Sequence, residues 1–347
     1  MCSVNGTTAP IASPRTALGR FLVGGGVEIG PGHMPFPLVF GGATARFVDR
    51  WDPETNRQLF PEVAEAGFVE PDILANLDTD RLSAFADESL DFVIASHVLE
   101  HLAEPIGQIV DIHRVLRPGG IFLLVLPDRR RTFDRHREAT PLGHLIDEHR
   151  AGVTMVDDAH VAEFVAMVPE NWGGATPPPY ESTPFDQHRQ RSIHVHCWTE
   201  GEFAEVVAYS IVELGMGWEL IDRLRVDDVD DGIEFGMVLR RPTVDLPWAE
   251  AGERFWKSWH SLDRGPQPPL SFVAPDFEPV PASPSPPDLE LAETVRQLTA
   301  TQARLDAAQM VIARHERVLG PLRRAGLLAA LKSATRRYRR WQGKFRP

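Results

Sequence analysis

Disulfide chemistry is nearly closed to this chain. Only Cys2 and Cys197 occur among 347 residues, too few for a cross-linked framework, so a reducing, cytoplasmic compartment is expected. Long apolar runs are lacking as well: no segment approaches the roughly 18 residues that a membrane-crossing helix needs. The opening MCSVNGTTAPIASPRTALGR has no apolar signal core and reads as a flexible leader over 1–20. Positive charge is scarce outside the C-terminus. The net charge is −13, yet 321–347 hold nine Lys/Arg and no acid, which leaves −22 for the rest. A body that acidic argues against nonspecific binding to nucleic acid.

What is present suffices for a sizeable core, since 43% of the residues are hydrophobic. Over 21–242 short apolar runs alternate with helical stretches. FLVGGGVEIG, ARFVDR (45–50), LDFVIAS (90–96) and IFLLVLP (121–127) read as strands. A further strand and its loop are expected in the LDTDRL stretch, beside Asp78. Continuously apolar strands imply a parallel sheet covered on both faces. HVLEHLAEPIGQIVDIHRVL reads as a helix stopped by Arg117-Pro118-Gly119-Gly120. WELIDRLRV and EFGMVLRR, split by the acidic turn DDVDDG, read as a hairpin closing the sheet.

Residues 128–192 are rich in Arg, His, Asp and Pro and read as a substrate-side insertion with short helices around 140–168. Thr199 and Glu202 have the spacing of a capping box that opens a further helix. Beyond the α/β domain, 243–287 reads as a Pro-rich linker, with nine prolines in 262–287. The 288–319 segment repeats Leu291, Leu298, Leu305, Ile312 and Leu319 every seven residues. Its companion positions (Val295, Gln302, Gln309, Glu316) are poor, so it suits at most a weak coiled-coil homo-oligomer. The 320–347 tail is a basic amphipathic helix candidate, suited to peripheral contact with an anionic membrane surface.

The chemistry concentrates in a few stretches. In VEIGPGHMPFP (27–37) an acid and a Gly-x-Gly turn follow a strand, but Met34 and prolines replace the glycine that would open a helix beneath a pyrophosphate. A ligand without phosphate fits better. Asp49 ends the next strand, where a carboxylate can accept both hydroxyls of a ribose; Asp52 competes for that role.

VEIGPG, the strand ending in Asp49, LDFVIASHVLEHL and RVLRPGGIFLLVLP, in this order, resemble the class I S-adenosylmethionine-dependent methyltransferases, in particular the bacterial group called methyltransferase type 11. The likeness is close over 21–128 and makes 21–242 the methyltransferase domain. It implies a Rossmann-like seven-stranded, mostly parallel sheet with a closing antiparallel hairpin, here followed by a C-terminal helical extension. It implies S-adenosyl-L-methionine as cofactor. Glu28, Gly30 and Gly32 would then line its amino acid and adenosyl part, Asp49 would hold the ribose, and Leu77 and Asp78 would flank the adenine. Ser96 and His97 would border the methionine portion. A sulfonium cofactor carries positive charge and no phosphate, which suits the turn.

His97-Val-Leu-Glu100-His101 also matches the H-x-x-E-H zinc signature. Here His97 directly follows a buried strand and is expected to cap the helix. Glu100 and His101 then support the site, His101 being a further catalytic candidate. On the acceptor side, Asp128 and Arg131 follow the fifth strand, and His194 and His196 alternate in IHVHCW, so both are expected on one side of an extended segment. No carboxylate accompanies them at ligand spacing, and no metal site is expected. HVHCWT before a capped helix resembles methyltransferases met in bacterial surface-glycan assembly. The expected activity is methyl transfer to a small-molecule or glycan-like acceptor, at oxygen, with His194, His196 and His97 as candidate bases in that order. The alternative is a catalytically degenerate cofactor-binding or scaffold module tethered by its C-terminal helix.

Overall fold

The structure is a computed structural model that describes residues 13–168, 183–244 and 246–262. The heptad segment, the basic tail and most of the Pro-rich stretch lie outside the described residues.

Seven strands form one sheet: β1 (Gly24–Ile29), β2 (Ala43–Asp49), β3 (Ile73–Leu74), β4 (Leu90–Ser96), β5 (Leu116–Pro127), β6 (Glu219–Leu224) and β7 (Glu234–Arg240). Their order is β3-β2-β1-β4-β5-β7-β6. The pairs from β3 to β5 are parallel, and β7 runs antiparallel to both β5 and β6. The last strand therefore inserts beside β5, and β6 forms the edge. The third strand is only two residues long and lies just upstream of Leu77, not within LDTDRL.

Alternation within the apolar strands feeds two cores. Val27, Ile29, Val93, Ala95, Phe122 and Leu124 pack with one cluster. Phe92, Ile94, Leu123 and Val125 face a second. The first cluster is covered by α3 (Pro105–Val115), α7 (Glu200–Val212) and α8 (Trp248–Ser261). α3 starts at Pro105 because the Glu104 side chain accepts from Gly107 N–H and proline is favourable at the first turn. α7 carries the expected box of Thr199 and Glu202.

The second face is closed by chain that sequence reasoning treated as a leader. Ser13 caps the short α1 (Pro14–Ala17), a 3-10 turn Leu18–Phe21 follows, and Leu18 and Leu22 are buried against the sheet. Residues 13–20 are thus docked. Four to eight residues give too short a pattern for helical periodicity to register. Residues 31–42 contain no helix after β1, as Pro35 and Pro37 require and as the sequence implies. Two further corrections concern helices. His97 does not cap a helix: it takes φ +56°, and Leu99–His101 is a 3-10 turn before α3 begins. The stretch expected as linker from 243 instead holds α8, whose Phe255 and Trp259 are buried, with the Arg223 guanidinium 4.0 Å over the Trp259 ring.

The insertion holds α4 (Leu142–Ala151), α5 (Asp158–Met167) and α6 (Phe185–Gln190); α2 (Pro53–Leu59), capped by Asp52, follows β2. No helix among the described residues is long and apolar enough to cross a membrane.

Candidate functional site

A cavity of about 1120 Å³ opens at the carboxyl ends of β1, β2 and β4, where open α/β sheets gather ligands. It is slightly larger than typical ligand sites of roughly 300–1,000 Å³.

The turn after β1 forms one wall. Gly30 and Gly32 have φ of +60° and +53°, a backbone that favours glycine. A Cβ on Gly30 would come within 2.8 Å of Val98, whereas one on Gly32 would meet nothing within 4 Å. The backbone at Gly32 therefore opens directly onto the cavity. Because no helix follows, no array of helix N-terminal amides stands there to hold a pyrophosphate.

Asp49 lines the same wall. Its Oδ1 accepts from Arg50 N–H at 2.7 Å and its Oδ2 from Gly32 N–H at 3.3 Å. Burial raises its pKa above the ordinary carboxylate value, and the two amides offset part of that. Leu77 and Asp78 lie beyond it; Asp78 Oδ1 accepts from Ala103 N–H at 2.8 Å, and burial again raises its pKa. Ser96 and His97 form the facing wall.

Seven of the eight cofactor candidates thus line one cavity: Gly30, Gly32, Asp49, Leu77, Asp78, Ser96 and His97. Glu28 does not. Its side chain is buried beneath the turn, where Oε1 accepts from Phe36 N–H at 2.8 Å. Burial pushes this carboxyl up to about 7, against the lowering effects of that amide and the Arg15 charge. Glu28 shapes the turn from below.

Two residues that sequence reasoning passed over complete the facing wall. Arg15 Nη2 donates to Ser96 Oγ at 2.7 Å, and Arg15 Nε lies 3.1 Å from Glu234 Oε1. Glu234 Oε2 is 2.8 Å from His97 Nε2. Burial works against a charged His97 ring, but the Glu234 hydrogen bond and the nearby Glu100 outweigh it and raise the pKa. Glu234 sat at a strand start and Arg15 in the apparent leader, so neither carried a sequence signal.

The histidine expectations need correcting. His194 and His196 do not line the cavity; their neighbours Ile193 and Val195 do. The extended segment is right, but its pleat turns both histidines inward. His194 Nδ1 lies 2.6 Å from Asp134 Oδ2, and its ring meets the edge of His101 at 4.8 Å. Asp128 and Arg131 are likewise elsewhere, paired with Arg130 and Asp227.

His101, by contrast, lines the cavity. Its Nδ1 is 3.1 Å from the Ile193 carbonyl, which can only accept, so Nδ1 carries the proton and Nε2 a lone pair. Burial, together with the His194 charge, lowers its pKa although Glu100 opposes this. Glu100 is fully buried between His97 and His101, at 3.6 and 3.7 Å, and neither carboxylate oxygen has a hydrogen-bond partner. His97 and His101 share no helix face, so the zinc-peptidase arrangement is absent.

His196 belongs to a second cluster, with His144, Glu148 and His160, beside a smaller cavity of about 440 Å³. Burial, with the charges of Asp157 and Glu104, pushes Glu148 up to about 8.

Residues 43–124 match the family described as a methyltransferase domain. Among solved structures, the chain is similar to the CurJ carbon methyltransferase (13% identity, TM-score 0.34), covering 66% of this chain and 50% of that one. It is similar to an S-adenosylmethionine-dependent methyltransferase of Aquifex aeolicus at 12% identity and TM-score 0.34, covering 67% and 90%. A third is a methyltransferase of Mesorhizobium loti, at 17% identity and TM-score 0.35, covering 65% and 96%. The chain thus spans half the length of the first. At such scores these likenesses add nothing to what the strand order already says. No curated protein sequence matches the chain.

Proposed function

We propose that this chain, which carries the class I S-adenosylmethionine-dependent methyltransferase fold, passes the cofactor's methyl to a hydroxyl of a small-molecule or glycan-like acceptor. The observation that carries the reading is the shared cavity. A glycine turn without a helix, a strand-end carboxylate and a loop carboxylate converge there, at the carboxyl ends of a sheet ordered β3-β2-β1-β4-β5-β7-β6.

These residues fit the cofactor. The turn at Gly32 lets main chain approach closely, Asp49 is placed for ribose hydroxyls, and Asp78 with Leu77 for an adenine edge and face. When bound, S-adenosylmethionine supplies a methyl made electrophilic by its sulfonium. The chain's own contribution is to hold an acceptor in line and exclude water. Arg50 Nη1 donates to the Arg189 carbonyl, and Trp51 Nε1 to that of Gln190, which pins the chain before Ile193 against the end of β2. Ile193, Val195, Met155 and Ile233 give the remaining volume an apolar lining.

A hydroxyl acceptor must lose its proton during transfer. His101 is the proposed base, in place of the histidines favoured by sequence alone. Its Nε2 carries the lone pair, 3.7 Å from the Glu100 carboxylate, and its lowered pKa keeps the ring neutral near pH 7. Asp134 and His194 stand behind it and hold the ring in place. His97, committed to Glu234, positions the donor wall.

The test is calorimetry with S-adenosylmethionine and S-adenosylhomocysteine, followed by transfer of labelled methyl to fractionated cell extract with the product identified by mass. Binding of both and a methylated hydroxyl product are expected. Binding without transfer would favour a degenerate cofactor-binding module, and absence of binding would remove the methyl-transfer reading.

A further inference from the structure

We propose that His144, Glu148, His160 and His196 form a binding site for a divalent transition-metal ion, zinc foremost, that clamps the insertion to the acceptor wall. The site is independent of the methyl-transfer reading.

The four ligand atoms come from three separate elements. His144 and Glu148 sit one turn apart on α4, so they share a face. His160 comes from the first turn of α5, and His196 from the extended chain before α7. One ligand atom of each lies within 4.8 Å of all the others.

The spacing suits one small ion. Ligands about 2.0–2.1 Å from a tetrahedral zinc are about 3.3 Å from one another. His144 Nε2 is 2.9 Å from His160 Nε2 and 3.1 Å from Glu148 Oε1. His160 Nε2 is 3.4 Å from Glu148 Oε1, and His196 Nε2 is 3.5 Å from Glu148 Oε2.

Two further observations point to a ligand rather than to packing. His196 is fully buried, and its Nε2, aimed at Glu148, has no hydrogen-bond partner; Glu148 Oε2 has none either. Burying such atoms unpaired is unfavourable, and a shared cation removes that cost. His160 Nδ1 lies 2.8 Å from Asp157 Oδ1, and a carboxylate there fixes the proton on Nδ1 and presents the Nε2 lone pair to the cluster. Metal-bound histidines are held in this way. Three imidazoles with one carboxylate suit zinc better than magnesium or calcium, which take oxygen.

The consequence is mechanical. Val195, between His194 and His196, lines both cavities, as do Met155 and Val156 at the end of the α4–α5 connection. An ion here fixes the segment that shapes the acceptor space without touching the acceptor.

Tag-free full-length protein would be stripped with a chelator, reloaded with zinc chloride, desalted and its metal counted by plasma mass spectrometry. About one zinc per chain is expected, with a raised melting temperature, and a cobalt-loaded form should absorb as a four-coordinate site. H144Q and E148Q should weaken zinc binding at least about 10-fold, and D157N about 10–100-fold. Because His196 is fully buried and its replacement can unfold the chain, the exposed His144 carries the test, with circular dichroism confirming the fold. H136Q, at an exposed histidine outside the cluster, should load like the wild type. Less than about a tenth of an equivalent of zinc in the wild type, or wild-type loading by folded H144Q and E148Q, would overturn the proposal.

Discussion

Asp49 and Glu28 are two acids that the sequence assigns to one cofactor and the structure separates. The perturbation that tests this is a pair of near-isosteric changes, Asp49→Asn and Glu28→Gln. In Asp49→Asn the charge is lost and one of two acceptor oxygens becomes a donor, at a residue that lines the cavity. A hydrogen bond to a charged partner contributes about 1.5–3 kcal/mol, and each 1.4 kcal/mol is tenfold, so the dissociation constant should rise about 10–150-fold. Asparagine keeps an oxygen for the Arg50 amide, the shorter of the two bonds that Asp49 accepts, so the turn itself should survive. Glu28→Gln removes no group from the cavity and keeps an oxygen for Phe36 N–H, so affinity should change less than about 3-fold. The assay is isothermal calorimetry with S-adenosylhomocysteine, which requires no acceptor. A Glu28→Gln loss larger than that of Asp49→Asn, or wild-type affinity in Asp49→Asn, would refute the placement of the ribose carboxylate.

The same Glu28 should leave a mark on stability. Its carboxyl ionises near 7 when folded and near 4.5 when unfolded, so the folded chain binds the extra proton between those values and loses stability as pH rises through them. Glu28→Gln should therefore melt like the wild type near pH 4.5 and above it at pH 8, by up to about 3 kcal/mol; a gap that stays constant with pH would contradict the burial argument. His101→Gln should lower kcat about 10²–10⁴-fold with cofactor affinity unchanged, measured on whichever acceptor labelled-methyl transfer reveals; a rate within about threefold of wild type would remove it as base. Phe255→Ala should cost about 3–5 kcal/mol in urea unfolding, because α8 belongs to the core; a loss under about 1 kcal/mol would restore the linker reading of that stretch.

The legible parts of the chain were those where one period runs long enough to be seen. IFLLVLP and LDFVIAS became the central strands because both faces of the sheet are covered. Thr199 and Glu202 became the predicted cap because that motif is local. Gly30, Gly32 and Asp49 were legible because a strand-end turn is also local. What the sequence hid depends on distant partners. Arg15 meets Ser96, 81 residues away in sequence, and the still more distant Glu234, and α8 gains its helix from the face of α7 and β6 that it covers. IHVHCW had the correct extended form, yet which side faces the cavity was fixed by Asp134 and α4, neither adjacent in sequence.

The position of β7 also bears on how the protein is made. Leu116–Pro127 has its antiparallel neighbour only once Glu234–Arg240 exists. At a synthesis rate of about 5–20 residues per second, the roughly 113 residues separating the two strand ends take about 6–23 s to emerge. During that interval the nascent chain presents IFLLVL as an unzipped, water-facing edge, the kind of template on which ribosome-bound copies can cross-pair. Output in a foreign host should therefore respond to holdase chaperones and to the translation rate between β5 and β7 more than to changes in the finished protein.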